Sequence, residues 1–147
     1  MKLFFDTSAL VKFFYEEKGS DIVTELITSK HNEIWLLELV RIEVYCALYR
    51  RFRNNEISED QLNIAISGFN EELSTFYVEP IRHSTIQEAE SLINNYGKQY
   101  GLRTLDSLHL AAFLLISTKD WYFVVADEKL NDLIKIMGYN TINPMNV

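Results

Sequence analysis

The sequence predicts an α/β protein in which helices cover both faces of a central parallel sheet. Short, continuously apolar segments alternate with helical patterns of about ten or more residues, an order typical of βαβ units. Strands that are apolar throughout belong to sheets buried on both sides. The 147 residues include only two prolines and five glycines, and no linker or repeat divides them. We therefore expect a single domain over residues 1–147.

Five apolar segments are expected to form the strands. They are residues 2–6, 33–37, 75–78, 121–125 and 140–142. Apolar residues at helical spacing predict the helices between them. These are residues 7–18, 21–29, 38–53, 58–73, 84 to Gly97 or Gly101, 105–116 and 129–136. Capping boxes are predicted at Ser58 with Gln61 and at Ser84 with Gln87.

Composition excludes several classes of protein. The chain is 48% apolar and 24% charged, with a net charge of −7, which are values of a folded globular protein. A single cysteine, Cys46, excludes an internal disulfide and any multi-cysteine metal site. The apolar run at residues 110–116 is far shorter than the roughly 20 residues that span a membrane. Because Asp6 also interrupts any signal-peptide core, we expect a cytoplasmic protein with no membrane partner.

Four acidic residues fall where an α/β sheet places its ligands. Asp6 ends the first strand, Glu43 and Asp106 lie in early turns of helices, and Asp127 follows the fourth strand. In right-handed βαβ units, helix N-termini and strand carboxyl ends share one edge of the sheet. We therefore expect all four carboxylates to project from the same edge, where open α/β sheets bind ligands.

Carboxylates clustered in this way need a cation. Two like charges about 4 Å apart repel by about 4 kcal/mol at an effective dielectric near 20. An all-oxygen site suits Mg²⁺ or Mn²⁺, and such a metal supports hydrolysis of a phosphate ester. Each acid also has a simpler explanation on its own: a helix cap, a solvated helix position, a favourable helix dipole or turn chemistry. The shared edge favours a joint role.

Four segments of the chain resemble the motifs of PIN-domain ribonucleases, and specifically of VapC-type toxins. The segments are Asp6-Thr-Ser-Ala-Leu, Arg41-Ile-Glu-Val, Leu102-Arg-Thr-Leu-Asp-Ser-Leu-His-Leu-Ala and Val125-Ala-Asp-Glu-Lys-Leu. The resemblance extends over almost the whole chain, in order, and the first and third segments are the most specific. It implies a three-layer α/β/α fold and an Mg²⁺- or Mn²⁺-dependent endoribonuclease acting on RNA. It also implies a homodimer and a cognate antitoxin that blocks the site.

The resemblance assigns Asp6, Glu43, Asp106 and Asp127 as the catalytic, metal-binding acids, with Ser8 as a hydrogen-bond donor near substrate. One position departs from the family. VapC-type proteins often carry Thr or Ser two residues before the fourth acid, where this chain has Val125. The role of Asp127 is therefore the least supported of the four.

A basic rim is expected around the acidic centre, and it would hold a phosphate backbone despite the acidic net charge. Arg50 lies two helical turns beyond Glu43 on nearly the same face, and Arg51 and Arg53 extend the patch. Further basic residues precede or follow the acids in sequence: Lys12, Lys98 and Arg103. The alternative is a solvated helix end that favours the negative pole of the dipole. His109, one turn beyond Asp106, is within reach of the site edge, but its apolar neighbours favour a partly buried structural residue.

Other functions are less compatible with the residues beside Asp6. A haloacid-dehalogenase-type phosphatase needs a second Asp where Ser8 stands. A phosphoacceptor receiver domain usually pairs adjacent acids, and Thr7 stands next to Asp6 instead. A catalytically degenerate PIN-like domain that only binds RNA or protein stays open as the alternative.

Overall fold

The computed structural model describes residues 1–146, which form five strands and seven α-helices. The strands are β1 (Lys2–Phe5), β2 (Glu33–Leu37), β3 (Tyr77–Glu79), β4 (Tyr122–Val124) and β5 (Asn140–Ile142). The helices are α1 (Thr7–Leu10), α2 (Ser20–Thr28), α3 (Val40–Arg53), α4 (Glu59–Glu72), α5 (His83–Tyr100), α6 (Thr104–Ile116) and α7 (Glu128–Ile136). Short 3₁₀ turns follow α1 at Val11–Phe13 and α4 at Leu73–Thr75.

All strand pairs are parallel, in the spatial order β3-β2-β1-β4-β5. The chain builds outward from β1 through β2 to β3, and then returns to the other side of β1 for β4 and β5. The strand order therefore reverses between β1 and β4. In open α/β sheets, this switch point forms a crevice at the carboxyl ends of the strands.

The sheet separates two apolar cores, because successive strand residues point to opposite faces. Leu3 and Phe5 of β1 pack with α1–α4, whereas Phe4 packs with α5–α7. On the second face, the rings of Phe4, Phe113 and Phe123 contact one another at centroid distances of 5.1–5.8 Å. This arrangement confirms the three-layer α/β/α class with a central parallel sheet.

Local differences from the sequence prediction lie at element ends. The first predicted helix is a single α-turn followed by a 3₁₀ turn. The capping box at Ser58 and Gln61 is present. The one predicted at Ser84 is wrong, because α5 begins at His83 and the Thr85 hydroxyl accepts the Arg82 backbone N–H.

Helix α5 extends to Tyr100, and Gly101 ends it in the left-handed region at φ 65°. Among residues 1–146, no helix combines the length and the apolar character that crossing a bilayer requires.

Candidate active site

A cleft of about 840 Å³ lies at the carboxyl ends of β1 and β4, and the four acids all line it. Asp6 caps α1 directly after β1, and Asp127 caps α7 shortly after β4. Glu43 and Asp106 lie in the first turns of α3 and α6. The switch point of the sheet thus brings together side chains that are far apart in the sequence.

Asp6 is the most deeply buried of the four, with 3% of its surface exposed. Its carboxylate accepts the Ala9 backbone N–H at 3.1 Å and the Ser8 hydroxyl at 2.7 and 2.9 Å to its two oxygens. Burial raises the pKa of Asp6 to about 6. The His109 ring and these hydrogen bonds oppose the rise in pKa, while the Asp106 charge adds to it.

Ser8 connects the two strands that flank the switch point. Its hydroxyl donates to Asp6 and accepts the Ala126 backbone N–H at 3.1 Å. Because Ala126 immediately precedes Asp127, this contact ties the loop after β4 to the end of β1. Ser8 therefore orients the Asp6 carboxylate and fixes the spacing between two of the acids.

Glu43 is held by two donors from different elements. Its Oε1 accepts the Thr7 hydroxyl at 2.8 Å and lies 2.5 Å from His109 Nε2. Burial alone would raise the pKa of Glu43, but the His109 and Thr7 contacts outweigh it and lower the pKa. Glu43 is thus a carboxylate that is stabilised in its ionised form.

Asp106 and Asp127 form the outer side of the cleft and share one guanidinium. Arg103 Nη2 lies 3.3 Å from Asp106 Oδ2 and 3.8 Å from Asp127 Oδ2. Burial and the Asp127 charge raise the pKa of Asp106, although Arg103 opposes them. The other Asp127 oxygen accepts the Leu130 backbone N–H at 2.9 Å, so Asp127 also serves as a helix cap. Val125, which stands where VapC-type proteins often carry Thr or Ser, is buried.

The basic wall of the cleft contains both exposed and paired guanidinium groups. Arg50 is exposed and lines the cleft with Glu43. Arg51, in contrast, pairs with Glu17 at 3.0 Å, and Lys12 reaches the same carboxylate at 3.1 Å. Arg53 also lines the cleft, whereas Lys98 is not among the lining residues of the described chain.

Comparison with protein families matches the PIN domain model to residues 3–133. This chain belongs to the PIN domain family. Sequence comparison with curated proteins gives no match. All four motifs lie inside the matched range, from Asp6 in the first to Asp127 in the fourth.

Solved structures share the fold of this PIN domain at low sequence identity. FitAcB from Neisseria gonorrhoeae has a TM-score of 0.70 at 13% identity, with 99% of each chain covered. VapC20 of Mycobacterium tuberculosis, a sarcin-ricin loop cleaving toxin, has a TM-score of 0.71 at 15% identity, with 97% of this chain and 99% of that chain covered. A toxin–antitoxin complex from Klebsiella pneumoniae has a TM-score of 0.63 at 19% identity, with 99% of each chain covered.

The donor set of this PIN domain fits a hard divalent cation, but its side chains are engaged with protein partners. All four acids offer carboxylate oxygens, the ligands that Mg²⁺ and Mn²⁺ prefer. Within residues 1–146, no group of three or more His, Cys, Asp or Glu side chains is arranged to hold a metal ion. Arg103 lies between two of the acids and His109 lies against a third. Asp6, Glu43, Asp106 and Asp127 would hold such an ion, and Arg103 is the cation that would compete with it for Asp106 and Asp127.

The sequence did not assign the roles of three side chains that organise this site. It placed Thr7 at a helix start, favoured a structural role for His109 over one at the site edge, and gave Glu17 no role. Thr7 follows Asp6, and His109 lies one turn from Asp106, so proximity to a candidate acid was an available signal. The contact between Glu17 and Arg51 spans two elements, and no spacing rule predicts it.

Proposed function

We propose that this PIN domain is a metal-dependent endoribonuclease that hydrolyses RNA phosphodiester bonds with Mg²⁺ or Mn²⁺. We propose further that it is the toxin of a type II toxin–antitoxin pair. The observation that carries the proposal is the convergence of Asp6, Glu43, Asp106 and Asp127 on one cleft. Membership of the PIN domain family and the fold shared with VapC20 support the same interpretation.

In this proposal, the four acids hold the divalent ion and the remaining residues position them. When bound, the ion would activate a water molecule and stabilise charge on the phosphodiester in the transition state. Ser8 keeps the Asp6 carboxylate in place by donating its single hydroxyl hydrogen between the two carboxylate oxygens, and at this position it would also lie near substrate. Arg50 offers an exposed guanidinium to the phosphate backbone along the same cleft.

Partners follow from the same interpretation. We propose a cognate antitoxin that covers the cleft, since the Klebsiella pneumoniae neighbour is a toxin–antitoxin complex. A homodimer in the cytoplasm completes the proposal, as the resemblance to VapC-type toxins implies. A single domain over the whole chain is consistent with the family match to residues 3–133.

A degenerate PIN domain that binds RNA or protein without cleaving it is the second candidate. It is favoured by one observation: within residues 1–146, no three His, Cys, Asp or Glu side chains are already arranged as ligands of one metal ion. Under this hypothesis, Arg103 would be a permanent counter-ion of Asp106 and Asp127. Cleavage assays distinguish the two candidates directly.

The decisive experiment measures cleavage of RNA by the purified protein with Mg²⁺ or Mn²⁺ and with EDTA. We expect cleavage with metal, none with EDTA, and none by Asp6→Asn or Asp106→Asn. Asp132→Asn is the matched control, because Asp132 is exposed on α7 and lies outside the cleft. Full activity in EDTA, or in both site variants, would contradict the proposed mechanism. Binding of RNA without cleavage would favour the degenerate domain.

Arg50 allows a separate test of RNA binding. Replacing it with alanine should weaken RNA affinity. The slope of log affinity against log salt concentration should become shallower by about 0.7 for each phosphate of single-stranded RNA that the protein no longer neutralises. Arg41→Ala is the control, since Arg41 is exposed on the same helix and does not line the cleft. Unchanged affinity and slope in Arg50→Ala would favour the alternative, in which Arg50 belongs to a solvated helix end and does not bind RNA.

A further inference from the structure

His109 is a buried polar residue that the proposed chemistry leaves unassigned. It lies on α6, one turn beyond Asp106, and only 2% of its surface is exposed. Its Nε2 lies 2.5 Å from Glu43 Oε1 on α3 and 3.4 Å from Thr7 Oγ1 on α1. The ring thus joins three elements that meet beneath the cleft.

The hydrogen atoms at this junction assign the donors. The Thr7 hydroxyl has one hydrogen, which it donates to Glu43 Oε1 at 2.8 Å. The Glu43 carboxylate can only accept, so His109 Nε2 must carry a proton to lie against the same oxygen. Both donors therefore converge on Oε1. Within residues 1–146, Oε2 accepts no hydrogen bond, and the half-buried Glu43 side chain lines the cleft.

The other ring nitrogen shows what orients the imidazole. His109 Nδ1 is buried and has no hydrogen-bond partner within the described residues 1–146. Leaving a buried polar atom unpaired carries a free-energy penalty, which an apolar side chain of similar size would avoid. The ring is consequently oriented by its contact with Glu43 and not by a partner on its far side.

We propose that His109 is a positioning residue, which holds Oε1 of Glu43 so that Oε2 is presented to a divalent cation in the cleft. This inference rests on the proposed metal-dependent function. Outer partners of metal-binding side chains commonly change metal affinity by about 10–100-fold when they are removed. His109 acts entirely through Glu43 and touches neither the cation nor the RNA.

Titration of the metal-free protein with Mn²⁺, followed by calorimetry, tests this role. We expect His109→Leu to weaken Mn²⁺ binding by about tenfold or more. His109→Gln should restore binding to within about threefold of wild type, because its amide can donate from nearly the Nε2 position. His83→Leu is the matched control, since it removes an exposed histidine outside the cleft. If His109→Leu fails to fold, His109→Asn replaces it, being polar but too short to reach Glu43.

A double variant shows whether His109 works through Glu43. In the background of Glu43→Gln, we expect His109→Leu to cause no further loss of Mn²⁺ affinity. Equal affinities of wild type and His109→Leu would overturn the inference and leave the endoribonuclease intact, as would losses that add in the double variant. Absence of any Mn²⁺ binding by wild type would overturn the metal site and this inference together.

Discussion

The two sides of the carboxylate cleft are built differently. On the inner side, Asp6 and Glu43 accept hydrogen bonds from a backbone N–H, two hydroxyls and a buried imidazole. On the outer side, Asp106 and Asp127 share Arg103, whose side chain is 74% exposed. Neutral or buried donors fix both inner acids in one geometry, whereas the outer acids share an exposed guanidinium and only Asp127 also accepts a backbone N–H, from Leu130. We infer that the inner side is preorganised and the outer side adjusts when a cation binds.

The largest expected effect concerns activity on the inner side. Asp6→Asn should lower RNA cleavage by about a thousandfold, the upper end of the loss when one preorganised electrostatic group is removed. Asp127→Asn should lose less, because Asp127 is more exposed and also caps α7. Single-turnover cleavage at saturating Mn²⁺ measures both. A greater loss in Asp127→Asn would reverse the assignment of the preorganised side.

The pH dependence of the free energy of unfolding distinguishes Asp6, the most deeply buried acid, from the other three. Burial raises the pKa of Asp6 from 3.8 to about 6, so the folded protein binds more protons than the unfolded chain between these values. Stability contributed by Asp6 is therefore greatest below about pH 4 and is lost as the pH rises through about 6. Between a pH well below 3.8 and a pH well above 6, the free energy of unfolding contributed by Asp6 changes by about 3 kcal/mol in total.

Urea unfolding in EDTA at about pH 4 and pH 7 checks this shift. We expect wild type to lose about 2.4 kcal/mol relative to Asp6→Asn between these pH values, because the unfolded Asp6 is already partly ionised at pH 4. Comparison with the variant removes the contributions of other groups. Glu43→Gln should give the opposite sign, since the lowered pKa of Glu43 means that its contribution is lost as the pH falls. A constant difference between wild type and Asp6→Asn would contradict the raised pKa.

Metal-dependent stability tests the outer side next. Burial and repulsion from Asp127 disfavour the Asp106 charge, so Asp106→Asn should raise the melting temperature of the metal-free protein. Wild type should gain about 2.7 kcal/mol at a Mn²⁺ concentration 100 times its dissociation constant, and the variant should lose most of that gain. Thermal melts with and without Mn²⁺ measure both effects, with Asp132→Asn as control. An equal response to Mn²⁺ would place Asp106 outside the metal site.

The sequence predicted where the four acids lie better than it predicted which side chains contact them. Strand order and helix N-termini are consequences of the βαβ pattern, so the convergence of Asp6, Glu43, Asp106 and Asp127 followed from topology alone. The family match confirmed the resemblance that the four motifs suggested. Both predictions depend on features that stand at fixed positions relative to strands and helices.

The side-chain partners could not be predicted in the same way. His109 reaches Glu43 because α6 and α3 meet at a particular distance, and Arg51 reaches Glu17 across another pair of elements. Helical spacing correctly placed Arg50 near Glu43 but could not tell that the adjacent Arg51 is neutralised. The predicted cap at Ser84 failed for a related reason, since Arg82 takes the cap position and Thr85 fills the role predicted for Gln87, two residues earlier in the chain.

The smallest expected effect concerns Arg103. Its removal should raise the affinity for Mn²⁺, whereas removal of His109 should lower it. Because this guanidinium is largely exposed, its pairs with Asp106 and Asp127 should contribute no more than about 1 kcal/mol to stability. Arg103→Ala should therefore lower the melting temperature of the metal-free protein by at most a few degrees. The same change removes a cation that competes with Mn²⁺, so Mn²⁺ affinity should rise by up to about fivefold.

Mn²⁺ titration of Arg103→Ala beside Arg53→Ala decides whether the outer side adjusts. Arg53 lines the same cleft, and within residues 1–146 it pairs with neither Asp106 nor Asp127. The two variants lose the same charge, so a rise confined to Arg103→Ala reflects direct competition for the two carboxylates. An equal rise in both would be a general effect of charge in the cleft. A fall in Arg103→Ala would mean that Arg103 holds the outer acids in their binding geometry, and the contrast between the two sides would then disappear.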